Sequence, residues 1–126
     1  MRVLVCGGRE FADLKLFTDT MTRIDGDDFV IDMVIHGGAR GADSMASSWA
    51  RYRGREEVVC PANWDALGKR AGVVRNNTML KLRPDLVVAF PGGKGTAHMV
   101  MLAEAAGLPV TKITETGDGQ IWQPPA

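Results

Sequence analysis

Two cysteines, six prolines, a single tyrosine and no net charge leave this chain poorly equipped for several common tasks. Cys6 and Cys60 sit in or beside separate apolar runs, which suits buried thiols in a reducing compartment better than a disulfide framework. Fifteen basic and fifteen acidic residues cancel. The bulk attraction that carries nucleic-acid and membrane-surface binding is therefore missing. No stretch approaches the ~20 apolar residues that cross a bilayer, and the apolar run in the opening MRVLVCGG is too short for a secretory signal. A cytoplasmic location is expected. His36 and His98 have no Cys, His or Asp at ligand spacing, so neither a metal site nor a bound cofactor is expected. No internal repeat appears, and 126 residues at 45% hydrophobic content fit one domain with one packed core.

Glycine, by contrast, is abundant at 15 residues, and the pairs Gly7-Gly8, Gly37-Gly38 and Gly92-Gly93 follow apolar runs. Those runs, RVLVC (2–6), DMVIH (32–36), EVVCP (57–61), DLVVAF (85–90) and PVTKI (109–113), are short and continuous, as strands buried on both faces are. Between them lie segments that predict helices over 12–25, 42–53, 65–82 and 95–106. Leu14, Phe17, Met21 and Ile24 make one apolar stripe, and Met99, Leu102, Ala103 and Ala106 another. Gly107 followed by Pro109 predicts a helix stop and a strand entry. Strands alternating with helices predict an α/β, Rossmann-like three-layer sandwich. Its core is a parallel sheet of about five strands with helices on both faces.

Three glycine loops then fall at the same edge of that sheet, Gly7-Gly8-Arg9, GGARGAD (37–43) and PGGKGT (91–96). Ligands of open parallel sheets bind beyond the carboxyl ends of the strands. Helices starting after such loops offer unpaired N–H groups and a positive dipole end, which favour an anion. The loops fail the spacing of a Walker phosphate loop, since Lys94 is followed by Gly95, and GGARGAD does not fit a dinucleotide fingerprint. Strand-to-helix turns use glycine in any α/β protein, so turn chemistry competes with ligand contact. Arg9, Arg40, Lys94, Lys69 and Arg70 add cations near this edge, with Glu10, Asp13, Asp43 and Asp65 close by. A phosphate-bearing ligand is the expectation.

Taken together, GGREF, GGARGAD, AGVVRNNTM and FPGGKGTA resemble the SLOG superfamily. This Rossmann-like group includes the Lonely-guy phosphoribohydrolases and the DNA-processing protein A domain. The chain is most similar to the small stand-alone YspA-like branch of phages and bacteria, from Met1 to about Ile113. The resemblance implies a site for a nucleotide or nucleotide-derived ligand where the Gly7-Gly8, Gly37-Gly38 and Gly92-Gly93 loops meet. In the Lonely-guy enzymes the motif is P-G-G-x-G-T-x-x-E, preceded by Arg-x-x-x-Met. Pro91, Gly92, Gly93, Gly95 and Thr96 match the first, and Arg75 with Met79 the second, but Met99 stands at the acid position. Cleaving an N-glycosidic bond passes through an oxocarbenium-like state that needs a carboxylate. Met99 cannot supply one, and Glu104 lies more than a helical turn further on. Asp43 and Glu10 are candidates for a displaced acid, although Asp43 also suits a helix cap.

Among single residues, Arg75 is expected to pair with phosphate and Asn76 to reach a base or ribose. Trp64 either stacks on a nucleobase or closes the core, and Trp49 is core or interface. RYRGR (51–55) reads as a solvated helix end. The segment 114–126, with Ile121 and Trp122, packs back or meets another chain. The expected function is binding of a nucleotide or ADP-ribose-like small molecule, as a sensor or sequestering protein. Gly92, Gly93, Gly95 and Thr96 would hold phosphate, Arg9, Arg40 and Arg75 would supply charge, and Gly8 and Gly38 would give room. Two alternatives stand beside it. One is a phosphoribohydrolase with a displaced acid. The other is a self-associating module using Trp49, Met99 and Trp122, and a homodimer or higher homo-oligomer is a possible partner state. No membrane partner is expected and nucleic acid is disfavoured.

Overall fold

A computed structural model of the chain describes residues 1–26 and 29–115. The tail residues Ile121 and Trp122 lie outside them. The five apolar runs form β1 (Arg2–Cys6), β2 (Met33–His36), β3 (Glu56–Val59), β4 (Leu86–Ala89) and β5 (Val110–Lys112). They pair in parallel in the order β3-β2-β1-β4-β5. β1 is central, with Val3 opposite Val34 on one side and Leu86 on the other. Its side chains alternate between faces. Val3 and Val5 join one buried cluster, and Leu4 and Cys6 join a second. Two separate clusters follow from a sheet covered on both faces, which is the expected three-layer α/β arrangement.

α1 (Leu14–Ile24) and α2 (Ala42–Arg53) contribute to the first cluster through Phe17, Met21, Ala46 and Trp49. Trp49 is 6% exposed and therefore belongs to the core. The Asp13 carboxylate caps α1 by accepting the Leu16 N–H at 3.0 Å. Of the expected stripe, Phe17, Met21 and Ile24 are buried. Leu14, the first residue of the helix, is exposed, while Thr20 joins the buried face. α4 (Ala71–Lys81) and α5 (Lys94–Ala105) contribute Met79, Met99 and Ala103 to the second cluster. Ala106, from the other expected stripe, is exposed just past the end of α5. Gly107, at φ +76, closes α5 by donating its N–H to the Glu104 carbonyl at 3.0 Å.

Three expectations need correction. The helix expected over 65–82 is three pieces: α3 (Trp64–Leu67), a 3₁₀ turn at Gly68–Arg70, and α4. Gly68 adopts φ +57 and so interrupts the helical path. β3 is not buried on both faces: it is an edge strand, paired with β2 alone, and Val59 is 44% exposed. RYRGR is not simply solvated, because Arg53 and Arg55 both reach Asp25 at 3.0 Å. The Asp25 side chain, just past α1, is 3% exposed, and a carboxylate so buried requires partners.

Connectivity places the site. From β1 the chain steps outward to β2 and β3, then crosses back to β4 on the other side of β1. The loops after β1 and β4 therefore leave neighbouring strands toward opposite faces, which opens a crevice at the carboxyl ends.

Candidate functional site at the β1–β4 switch

Three loops meet at this crevice through their backbones. The Gly8 N–H donates to the Pro91 carbonyl at 2.9 Å, and the Ala42 N–H to the Gly8 carbonyl at 3.3 Å. Side chains would prevent the approach. A Cβ on Gly92 would lie 2.3 Å from Thr96 Oγ1 and 2.6 Å from the Gly8 nitrogen. On Gly7 it would lie 2.6 Å from the Ala42 Cβ. Gly41, at φ +78, would place one 2.2 Å from the Gly8 carbonyl oxygen. These glycines are explained by loop packed on loop.

Gly93 and Gly95 are different. A Cβ at either would meet nothing within 4 Å, and neither has a positive φ. Gly95 lies in the first turn of α5, where glycine is poorer than alanine. That turn has no side-chain cap, and N–H groups of a first helical turn lack intrahelical acceptors. With the dipole, they form a positive end.

Facing them across a cavity of about 530 Å³ is Arg75 on α4. Its Nη1 donates to the Gly37 carbonyl at 3.2 Å and its Nε to Asn76 Oδ1 at 3.0 Å. A Cβ on Gly37 would fall 2.0 Å from Arg75 Nη1, so Gly37 clears space for the guanidinium. Asn76 is 3% exposed. Its amide nitrogen donates to the Gly95 carbonyl at 3.2 Å and lies 3.0 Å from His98 Nδ1. Asn76 thus orients Arg75 and ties α4 to the first turn of α5, through the same amide that was expected to reach a base or ribose.

The cavity gathers Gly7, Gly8, Arg9, Arg40, Asp43, Trp64, Arg75, Asn76, Gly93, Gly95 and Thr96 from the expected set. Gly37, Gly38, Pro91, Gly92 and Lys94 do not line it. Gly37 lies behind Arg75, and Gly38 packs toward Val59. Pro91 and Gly92 face an adjoining cleft with Phe11 and Asp13. Lys94 is exposed, as are Lys69 and Arg70. Arg40 lines the wall but pairs with Glu10, so its charge is partly neutralised. Trp64 is 48% exposed and so does not close the core. Ala39 also lines the cavity, and His98 steadies Asn76. Neither had a sequence signal beyond proximity to a glycine loop.

Asp43 occupies the first turn of α2 but does not cap it; the cap position is Gly41. The Asp43 carboxylate is 7% exposed and accepts the Ala39 N–H at 3.2 Å. Burial pushes its pKa above the ordinary carboxylate value, against the opposing pull of the Ala39 N–H, His36 and Arg75. The Cys6 thiol is pushed up to about 12 by burial and then by Asp43, with Arg75 opposing. It is thus a protonated thiol at neutral pH, not a nucleophile. Burial also raises the Cys60 thiol, again against Arg75. His36 is buried and accepts the Gly38 N–H on Nδ1 at 3.0 Å. Its Nε2 points to Glu57 at 3.6 Å.

Met99 is fully buried and absent from the cavity wall. Glu104 is exposed and pairs with Lys112 at 3.5 Å. Because Trp49 and Met99 are both core residues, neither supplies the apolar contact surface considered for a self-associating module. Among the described residues, no group of three or more His, Cys, Asp or Glu is placed to hold a metal ion. No helix among them is long and apolar enough to cross a membrane.

Comparison with known proteins bears on the fold and the family. The chain is similar in fold to the Moco Carrier Protein from Chlamydomonas reinhardtii. The TM-score is 0.66 at 23% identity, covering 90% of this chain and 76% of that one. It is 38% identical over 117 residues to the Gene 61 protein of Mycobacterium phage D29, covering 86% of this chain and 93% of the relative. The model of YAcAr, the YspA, cpYpsA-related SLOG family, matches residues 1–66, a span holding β1 to β3 and two of the three glycine loops. With its glycine loops set at the switch point of a five-stranded parallel sheet, the chain belongs to the YspA, cpYpsA-related SLOG family.

Proposed function

We propose that this protein binds a phosphate-bearing nucleotide or nucleotide-derived molecule, ADP-ribose-like in character, in the cavity at the β1–β4 switch. One observation carries the reading. The N-cap and first turn of α5 hold two glycines that no packing contact requires, Gly93 and Gly95, and they share a cavity with a guanidinium fixed by Asn76 and Gly37. Bare first-turn N–H groups, the Thr96 hydroxyl and Arg75 together form a cradle for a phosphate. Asp43, a carboxylate, suits ribose hydroxyls better than phosphate. The volume of about 530 Å³ is within the range of small-molecule sites.

Binding without turnover is favoured by the core position of Met99, which leaves the motif's acid position without a carboxylate. A neighbour of the same fold is named as a carrier protein, and a relative comes from a phage. Sensing or sequestering a signalling nucleotide agrees with both. Asp43 supports a second reading. It is a buried acid on the cavity wall with a raised pKa, the property expected of a displaced general acid in a phosphoribohydrolase.

The test is thermal unfolding with AMP, ADP-ribose and cyclic ADP-ribose isomers, on the wild type and on Arg75→Ala, followed by chromatography of the ligands. Binding to the native state raises Tm by mass action. A shift with one intact ligand, weakened by roughly 10-fold or more in affinity in the variant, is expected. Free base in the chromatogram, lost on Asp43→Asn, would establish the hydrolase instead. No shift with any member would overturn binding of this ligand class.

A further inference from the structure

The phosphate cradle leaves the opposite wall of the cavity unexplained. Trp64 opens α3, a four-residue helix that buries none of its side chains. Half of the indole is exposed, although tryptophan is among the most apolar residues a fold can bury. Asn63 holds the helix start by accepting the Ala66 N–H at 3.1 Å. Gly72, in the next helix, lines the same cavity, and a Cβ there would come to 3.4 Å from Trp64 Cη2. The ring is therefore steadied at one edge and left open toward the cavity. What covers it is the Arg9 guanidinium, 5.6 Å from the ring centroid. Arg9 is itself exposed and, among the described residues, makes no ion pair.

We infer that Trp64 is the seat for the aromatic base of the ligand, with Arg9 as the group that occupies it when no ligand is bound. This rests on the proposed phosphate site and adds the chemistry of the other end of the molecule: a nucleotide carrying its aromatic base, not a bare sugar phosphate. An indole and a guanidinium both stack on π-faces, and base stacking tolerates different bases because each has such a face. Arg9 leaves the ring when a base arrives. It sits in the loop after β1, next to Gly8, which meets Pro91, and so lies beside the phosphate cradle. Recognition of the base is thereby coupled to the cation that a phosphate attracts.

Calorimetric titration with AMP and with ribose 5-phosphate separates the two ends, because the ligands share sugar and phosphate and differ in the base. Wild-type protein should bind AMP more tightly by on the order of 5- to 150-fold, the usual worth of one stacked base. Trp64→Ala should erase that difference by weakening AMP without a comparable loss for ribose 5-phosphate, and Trp64→Phe should keep most of it. Equal losses for both ligands in Trp64→Ala, or an AMP preference that survives it, would overturn the base seat while leaving the phosphate site standing. Wild-type protein that binds neither ligand would overturn both. An alanine variant with a wild-type melting curve keeps loss of fold from imitating loss of the seat.

Discussion

Gly92 and Gly95 stand three residues apart in one motif, yet their missing side chains have different causes. A methyl at 92 would strike the Gly8 backbone nitrogen at 2.6 Å as well as Thr96 Oγ1. Backbone cannot rotate away, so Gly92→Ala should destabilise the protein by about 1–3 kcal/mol, measurable as a lower urea midpoint at unchanged slope. Gly95 has no such neighbour. The sequence shows both as glycines of one motif, and spacing alone cannot separate a packing glycine from a clearing one. Distances between loops remote in the chain are needed. Asn76 makes the same point. Its neighbour Arg75 was legible through the motif match, but Asn76 sits between Arg75, Gly95 and His98 only because α4 packs beside α5. Asn76→Ala should lower ligand affinity several-fold through loss of Arg75 orientation, and calorimetry on the folded variant checks it.

At the scale of elements, apolar runs and stripes were readable because burial selects them directly. All five strands lie within a residue or two of the expected places. The failures came where ends, edges or charges decide. Gly68 interrupts the path and Gly72 does not, and the sequence does not tell them apart, because glycine inside a helical pattern is compatible with continuation. The basic end of α2 looked solvated because its partner, Asp25, lies 28 residues away from Arg53 in sequence. Burial alone would raise the Asp25 pKa, but the Ile31 N–H, Arg55 and Arg53 more than offset it and hold the carboxyl below its ordinary value of 3.8. The sign follows from linkage. Well above pH 3.8 folded and unfolded chains are both ionised at this position, and the stabilisation is complete. As pH falls through that value toward the folded pKa, the unfolded chain takes up the proton first and the stabilisation is lost. Asp25→Asn should therefore destabilise by about 2–3 kcal/mol at neutral pH. Below about pH 4 the gap to wild type should narrow in urea titrations; a gap that stays constant there would contradict this role.

For the whole molecule, strand order 3-2-1-4-5 explains why loops distant in sequence act together. The return from β3 to β4 sets the loops after β1 and β4 side by side, and the helices that follow aim their first turns into one crevice. Alternating strands and helices made the fold class readable, and the gathering of glycine loops at one edge pointed to the candidate site. The facing wall was not readable in the same way. Arg75 and Trp64 reach the cavity because α3 and α4 cover this edge, and no local pattern encodes that placement.

On the proposed reading, the first turn of α5 is kept bare for a ligand and not for the fold. The melting temperature of Gly95→Ala, with and without AMP and ADP-ribose, beside wild type, decides between the two. An alanine there meets no neighbour and favours the helix, so the ligand-free variant should be more stable by about 0.5–1 kcal/mol and melt a few degrees higher. The ligand-induced rise seen in wild type should shrink or vanish. A variant that gains stability and loses binding would show a glycine held against the interest of the fold. An equal ligand-induced rise in both proteins, or none in wild type, would contradict it.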